Sequence, residues 1–324
     1  MSTVLITGGT GLIGKRLSWY LVKKGHKVII LTRSPRASGT DPEITYALWD
    51  VKKQTIDIAA LQQADYIMHL TGAGVVDKKW TPAYKQEILD SRTQSSKLLV
   101  DTLRDNRQHV KAIISSSAIG WYGEDKLPGV AFTESDPADE GFLGNACLLW
   151  EQSIEKAGEL GVRVCKLRTG IVLSNEGGAL AEFKKPIQLG VAGILGSGKQ
   201  IVSWIHIDDL CRQFLFAMEN EQLNGSYNAV APMPVSNKKL TLTLAELMKG
   251  NFYVPLHVPV FMLKLILGSR SIEVLKSTTV SCTKMKEEGF TFLFPTIDAA
   301  LRDLVKGNGL QVSPDEAPAA EKDK

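Results

Sequence analysis

The opening stretch, Met1 to Gly14, constrains this chain more than any other. Thr3-Val4-Leu5-Ile6-Thr7 is apolar and β-branched, the pattern of a buried strand. Gly8-Gly9-Thr10-Gly11-Leu12-Ile13-Gly14 follows at once, and Lys15 to Lys24 then carries Leu17, Leu21 and Val22 at helical spacing. Strand, glycine turn and helix in succession make a phosphate cradle. Gly8 permits the tight turn, Gly11 lets backbone approach a pyrophosphate, and Gly14 lets the helix lie close to the strand. Thr10, Leu12 and Ile13 complete the turn, where helix N–H groups and the positive dipole end face the phosphates. The pattern implies dinucleotide binding. A bare glycine-rich turn leaves the regular spacing unexplained.

Gly25-His26 stops the helix, and Lys27 to Leu31 is a second strand ending in Thr32-Arg33-Ser34-Pro35-Arg36. In NAD sites an acidic residue at this strand end bonds the ribose hydroxyls. Here Arg33 stands there, with Ser34 and Arg36 close behind. A guanidinium fork suits a 2′-phosphate, so the reading is NADP(H) in preference to NAD(H), with a solvated loop arginine as the bland alternative. Ile44 to Leu48 is a third strand, and Trp49-Asp50 at its end are placed to flank the adenine. Ala64 to Leu70 is a fourth, ending in Thr71-Gly72-Ala73-Gly74. Small residues there let a cofactor lie against the sheet edge, which adds Leu70, Thr71, Gly72 and Ala73 to the cofactor set.

Trp80 to Asn106 is a long helix with Ile88, Leu98, Leu99 and Leu103 as its core stripe; its polar Ser91, Arg92 and Thr93 are open to either reading. Val110 to Ser115 is a fifth strand running into Ser116-Ser117-Ala118 and then Ile119-Gly120-Trp121-Tyr122-Gly123. Glu124 to Gly141 is a polar loop, Leu143 to Leu160 a helix, and Val162 to Leu167 a sixth strand ending in Arg168-Thr169-Gly170. The strand ends at Ser115 and at Arg168, Thr169 and Gly170 are the remaining expected cofactor contacts. This alternation predicts an α/β fold, a Rossmann-type doubly wound parallel sheet.

From Leu173 the alternation changes. Ala179 to Leu189 reads as a helix, Gly190 to Gly198 as a glycine-rich loop, and Ile201 to Ile207 as a strand. Asp208 is placed to cap a helix running to Asn220, and Ser226 to Val230 is a strand. Beyond it the chain is mainly helical. The expected division is 1–172 plus about 202–230 for a nucleotide-binding domain, about 173–201 plus 231–306 for a smaller, mainly helical substrate domain, and 307–324 as a charged, proline-containing disordered tail.

The 324 residues suffice for one large or two modest cores. A net charge of +3 without a basic block gives no reason to expect nucleic acid. Cys147, Cys165, Cys211 and Cys282 are scattered, and no targeting segment is visible, which fits a reducing cytoplasm and suggests neither disulfides nor zinc. Val258 to Leu267 is too short to span a bilayer and contains Lys264, so no membrane is implied. His26, His69, His109 and His257 have no metal-ligand spacing, and no metal is expected. Gly196-Ser197-Gly198-Lys199 lacks the context of an ATP loop. The partner implied is a small-molecule substrate, and the oligomeric state is left open.

Three stretches together resemble the extended short-chain dehydrogenase/reductase superfamily: Val4 to Gly14, Ser115 to Ala118, and Trp204-Ile205-His206-Ile207-Asp208-Asp209. More closely, the chain is similar to its atypical, sugar-nucleotide-epimerase-like branch of epimerase family proteins. The matching motifs are Ser117 to Gly123, Trp150-Glu151, Arg168 to Leu173, Gly196 to Asp209, Val258 to Gly268 and Gly289 to Phe292. The resemblance runs over about residues 3–305.

In that superfamily a tyrosine acts as acid/base, a lysine one helical turn on lowers its pKa, and a serine bonds the substrate oxygen. Registering on Trp150-Glu151 puts Leu143 and Cys147 at the tyrosine and lysine positions, a loss the resemblance extends to the whole branch. Ser117 matches the substrate serine, with strand-end capping as its structural role. Tyr122, in the loop at the sheet's carboxyl edge, is the other catalytic candidate, against packing between domains. Glu151 reads as a solvated or salt-bridged carboxylate and Cys147 as a small buried hydrophobe. His206, in an apolar strand, reads as a structural residue linked to Asp208 and Asp209. Ser203-Trp204 stands where the superfamily commonly has a phosphate-binding arginine, so nucleotide-sugar binding does not carry over from the resemblance. Two readings follow: an NADP(H)-dependent oxidoreductase or epimerase-like enzyme acting on a small polar substrate, or a non-catalytic NADP(H)-binding sensor or regulatory protein.

Overall fold

The computed structural model describes residues 1–34 and 41–307, so Arg36 and the expected tail beyond Gly307 lie outside the described residues. The first half of the chain runs β1 (Thr3–Thr7), α1 (Leu12–Lys23), β2 (Lys27–Thr32), β3 (Ile44–Asp50), β4 (Thr55–Ile56), α2 (Ile58–Gln62), β5 (Tyr66–His69), α3 (Pro82–Asp105), β6 (Ala112–Ala118), α4 (Phe142–Glu155) and β7 (Arg163–Thr169). It continues through β8 (Ile171–Ser174), β9 (Gly177–Gly178), α5 (Ala179–Gln188), β10 (Val191–Leu195), β11 (Ile201–Val202), β12 (Trp204–His206), α6 (Ile207–Glu219) and β13 (Gly225–Ala229). The remainder is β14 (Val235–Ser236), α7 (Asn237–Lys249), β15 (Val254–Val258), α8 (Val260–Leu267), α9 (Ser271–Leu275), α10 (Thr283–Glu287) and α11 (Ile297–Lys306).

Eight strands form one sheet in the order β13-β7-β6-β5-β1-β2-β3-β4, parallel except for β4. The chain leaves β1 for β2 on one side and later crosses to β5 on the other. β1 and β5 therefore flank a topological switch point, where open α/β sheets bind ligands. In register, Thr7 lies opposite both Leu31 and His69.

The pleat of β1 explains the two-layer packing. Val4 and Ile6 turn to one face, into a core with Leu17 and Leu21 of α1 and Leu210 and Phe214 of α6. Leu5 turns to the other, into a core with Leu98, Leu99 and Leu103 of α3 and Ile154 of α4. Alternate residues are thus buried on both sides, which is why these strands read as unbroken apolar runs. A third core, around Leu173, Leu180, Trp204, Leu240, Leu244 and Leu301, belongs to the later part of the chain.

That part holds more sheet than the sequence suggests. Gly190 to Gly198, expected as a loop, contains β10, which pairs in parallel with β15. The glycines misled because Gly190, Gly196 and Gly198 take positive φ at the turns around the strand. β15 carries Pro255, tolerated because this strand has one partner and so an unpaired side. The strand expected from Ile201 to Ile207 breaks at Ser203, whose hydroxyl donates to Thr278 O at 2.8 Å and accepts the Val280 N–H at 3.0 Å. The cap of α6 is His206 rather than Asp208: its Nδ1 accepts the Asp208 N–H at 3.1 Å.

Candidate active site

The glycine turn is built as the spacing predicts. Gly8 has φ +70°, and a Cβ on it would lie 3.0 Å from the Leu70 carbonyl, so the ends of β1 and β5 touch here. A Cβ on Gly14 would come within 2.5 Å of Gly8 O and Gly9 Cα, which ties helix–strand proximity to glycine. Gly11 is the N-cap of α1 and no side chain caps it. The first-turn N–H groups of Leu12, Ile13 and Gly14 thus lack both intrahelical acceptors and a capping side chain, the arrangement that binds an anion. Thr10 and Gly11 are exposed, while Leu12 and Ile13 are half-buried.

A neutral hydrogen-bond chain fixes the loop after β5. Thr7 Oγ1 accepts the N–H groups of Leu70 (3.1 Å) and Thr71 (3.3 Å). Its proton then points to His69 Nδ1 at 2.9 Å, so the imidazole carries its own proton on Nε2. That N–H reaches Ser96 Oγ at 3.1 Å, and Ser96 donates to Arg92 O at 2.9 Å. Complete burial pushes the His69 pKa down to about 3, so the ring is neutral near pH 7 and is no base. Around this edge, Thr71 Oγ1, Ser116 Oγ and Trp150 Nε1 are buried with no hydrogen-bond partner among the described residues. Orphaned buried polar atoms at a switch point fit a bound polar ligand, because leaving them unmatched is costly.

The expected catalytic residues have other engagements. Ser117 is 2% exposed and donates to Glu151 Oε1 at 2.7 Å instead of presenting its proton to a substrate oxygen. Glu151 is also buried and pairs with Arg168 Nε at 2.8 Å, and its other oxygen accepts from Ser226 at 2.8 Å. The buried carboxylate decides the matter: it is tolerable only with its oxygens satisfied, and Ser117, Arg168 and Ser226 do this. Arg168 is engaged too, its guanidinium lying 3.6 Å from the Trp121 ring centroid as well as on Glu151. Thr169 and Gly170 follow it at the carboxyl end of β7.

Tyr122 is 1% exposed, stacked on Phe132, with its hydroxyl donating to Asn228 Oδ1 at 2.5 Å and accepting from Arg168 Nη1 at 3.1 Å. Burial pushes its pKa up to about 12. Leu143 and Cys147 pack against Gly120: a Cβ there would lie 3.2 Å from Leu143 Cβ and 3.7 Å from Cys147 Sγ. Cys147 points to Ala118 O at 3.6 Å, and burial pushes its thiol up to about 11, so it stays protonated. Ser115 is fully buried, its hydroxyl turned to Ser116 O at 3.0 Å.

Arg33 is exposed and lines an open hollow with Leu48, Asp50 and Lys53 beyond the ends of β2 and β3. Trp49 packs into the second core and also lines this hollow beside Asp50. Among the described residues, His206, Asp208 and Asp303 group with metal-ligand chemistry. Asp208, however, is held by Arg16 at 2.6 Å, and His206 caps α6 and faces Asp303 at 3.3 Å, which makes this a structural knot. Asp209 accepts the N–H groups of Leu293 and Phe294 at 2.8 and 2.9 Å, pinning the C-terminal segment to α6. The four cysteines are free and buried, and among the described residues no helix is long and apolar enough to cross a membrane.

Arg92 is the side chain whose place the sequence left undecided. Its guanidinium lies flat on Gly72, where a Cβ would come within 3.0 Å of the guanidinium carbon. Helical spacing puts Arg92 one turn after Ile88, but only the crossing of α3 over the β5 loop brings it to Gly72.

Sheet order, glycine turn and switch-point edge define a Rossmann-type nucleotide-binding protein. Residues 4–229 match the NAD dependent epimerase/dehydratase family, and residues 258–304 match a domain of unknown function, DUF1731. The chain belongs to the NAD-dependent epimerase/dehydratase family. An epimerase family protein of Staphylococcus aureus (strain NCTC 8325) is 37% identical over 309 residues, spanning 94% of this chain and 100% of its own. One of Staphylococcus haemolyticus is 36% identical over 310 residues, with 94% and 99% covered. Among solved structures, human epimerase family protein SDR39U1 with NADPH aligns at TM-score 0.81 and 27% identity, covering 94% of this chain and 99% of that one. A nucleoside-diphosphate sugar epimerase from Corynebacterium glutamicum aligns at TM-score 0.74 and 30% identity, with 94% of this chain but 58% of that one covered.

Proposed function

We propose that the chain is an NADP(H)-dependent oxidoreductase of the epimerase/dehydratase type, acting on a small polar substrate. The observation that carries this is the uncapped glycine turn at the switch point with orphaned buried hydroxyls beside it. The N–H groups of Leu12, Ile13 and Gly14 would hold the pyrophosphate, Arg33 the 2′-phosphate, and Thr71 and Ser116 would supply further hydrogen bonds. When bound, the nicotinamide supplies or accepts a hydride. The NADPH in the structure of the human relative supports the same cofactor.

The wall of the site is better fitted to hold than to transfer protons. Leu143 has no acid, the Cys147 thiol is held at about 11, and the Tyr122 phenol at about 12 with its proton given to Asn228. That geometry favours, as the second reading, a protein that binds NADP(H) and signals its redox state. Oxidation of NADPH across a panel of carbonyl compounds and nucleotide sugars decides between them. Turnover lost in Ser117→Ala or Tyr122→Phe supports the enzyme with these residues in its chemistry; turnover that survives both keeps the enzyme and removes their roles. No turnover, with a partner or oligomer change between NADP⁺ and NADPH forms, supports the sensor.

A further inference from the structure

Most arginines in the interior of this protein are matched. Arg16 pairs with Asp208 at 2.6 Å, Arg168 with Glu151 at 2.8 Å, and Arg212 with Asp209 at 2.9 Å. Arg163 pairs with no acid among the described residues, yet it donates to the carbonyls of Ala217, Met218 and Leu223, at and just beyond the negative end of α6.

Arg92, half-buried on α3, has neither kind of partner set. Its Nη1 donates to Ile88 O at 2.9 Å and Ala73 O at 3.1 Å, and Nε and Nη2 have no partner among the described residues. Burial lowers its pKa, and the groups that act against this, Cys147 and Tyr84, are neutral near pH 7. The guanidinium lies on Gly72, just past β5, and 4.9 Å from the Trp150 ring centroid. Trp150 is 4% exposed, and its Nε1 is a buried donor with no partner among the described residues. The free donors of Arg92 and of Trp150 thus lie on neighbouring side chains beside the switch point, with no acceptor for them among the described residues. The buried Trp150 N–H is costly to leave unmatched, while the half-buried Arg92 edge beside it stays open to solvent or to a ligand.

We propose that Arg92 is an oxyanion site, which takes a carboxylate or phosphate group of the substrate beside the cofactor. The Nε–Nη2 edge presents two parallel N–H groups spaced for two oxygens of one such group. With Leu143 and Cys147 supplying no charge, Arg92 gives this edge its positive potential and selects acidic substrates over neutral ones. The proposal rests on the reading of the cleft as a cofactor-dependent site.

The test titrates tryptophan fluorescence of the full chain with sodium malonate and, separately, inorganic phosphate. Ionic strength is held constant, and NADPH is absent or saturating. Saturation by at least one anion is expected, with NADPH present, and Arg92→Gln should raise the half-point about tenfold or more, Arg92→Lys by less. Saturation by malonate alone marks a carboxylate site, and by phosphate alone a phosphate site. No saturation with either anion overturns the proposal while leaving NADPH binding intact. A phosphate response that NADPH abolishes and Arg92→Gln leaves unchanged also overturns it, since it belongs to the glycine turn. Loss of NADPH affinity in Arg92→Gln by the same factor assigns Arg92 to the cofactor and overturns it as well. Failure of NADPH to bind, with Arg92-dependent saturation retained, sustains the anion site and removes the cofactor reading. Should Arg92→Gln not fold, the Arg92→Lys comparison carries the test.

Discussion

Acidification should destabilise this protein through His69 by an amount that its burial sets. The ring titrates at about 3 in the folded chain and at 6.5 when exposed. Protonation would require Nδ1 to give up the Thr7 proton and would leave a cation in the core between β1, β5 and α3. Below pH 6.5 the unfolded chain takes up a proton that the folded chain refuses. Stability is therefore complete above that value and is lost as pH falls towards 3. Linkage gives a loss of about 2 kcal/mol at about pH 5 and about 5 kcal/mol once both states are protonated. Urea unfolding followed by tryptophan fluorescence, at about pH 7.5 and about pH 5, measures it when the native protein is compared with His69→Gln. Other titrating groups cancel in that comparison. The native protein should lose about 2 kcal/mol more than the variant between the two conditions. An equal loss in both would refute the reasoning, because it would mean that the ring charges in place without penalty.

Arg33→Ala should weaken NADPH about tenfold or more and leave NADH unchanged, read by fluorescence of the bound cofactor; an unchanged preference removes the 2′-phosphate role. Glu151→Ala should cost about 3–5 kcal/mol in urea unfolding, because Arg168, 3% exposed, would be left as an uncompensated buried charge. A cost below about 1 kcal/mol would mean that the cluster is hydrated. Gly14→Ala should lower stability by about 1–3 kcal/mol and abolish NADPH binding, since the new methyl meets the backbone of Gly8 and Gly9. Full binding by that variant would show that α1 can shift without harm to the cradle.

Local chemistry was legible in the sequence and long-range chemistry was not. Gly8 to Gly14 could be read because turn, helix cap and helix–strand approach all lie within one short segment. The parallel, doubly wound class of the sheet followed from the alternation of strands and helices, whereas the order of its strands did not. The Glu151 cluster could not be read: Ser117, Glu151, Arg168 and Ser226 come from β6, α4, β7 and β13, and only the sheet order brings them together. Once assembled, they make Ser117 a buried hydrogen-bond partner of a carboxylate. Tyr122 was placed at the right edge of the sheet, but no spacing reveals that Asn228, on β13, takes its proton. β10 and β15 escaped notice because glycine and proline mark breaks in most strands, and here they mark ends and a single-partner strand. Arg92 was visible as a residue and invisible as a site, because its meaning depends on where α3 crosses Gly72.

The chain of bonds from Leu70 through Thr7, His69 and Ser96 to Arg92 has one further property. Every link is uncharged and every proton points one way, from the loop amides to the carbonyl on α3. Dissolved ions therefore have no charge in these links to screen. The exposed guanidinium of Arg33 has no such immunity. The frame of this site and the grip proposed for Arg33 on a 2′-phosphate thus answer to different solvents: the frame to acid, the grip to salt.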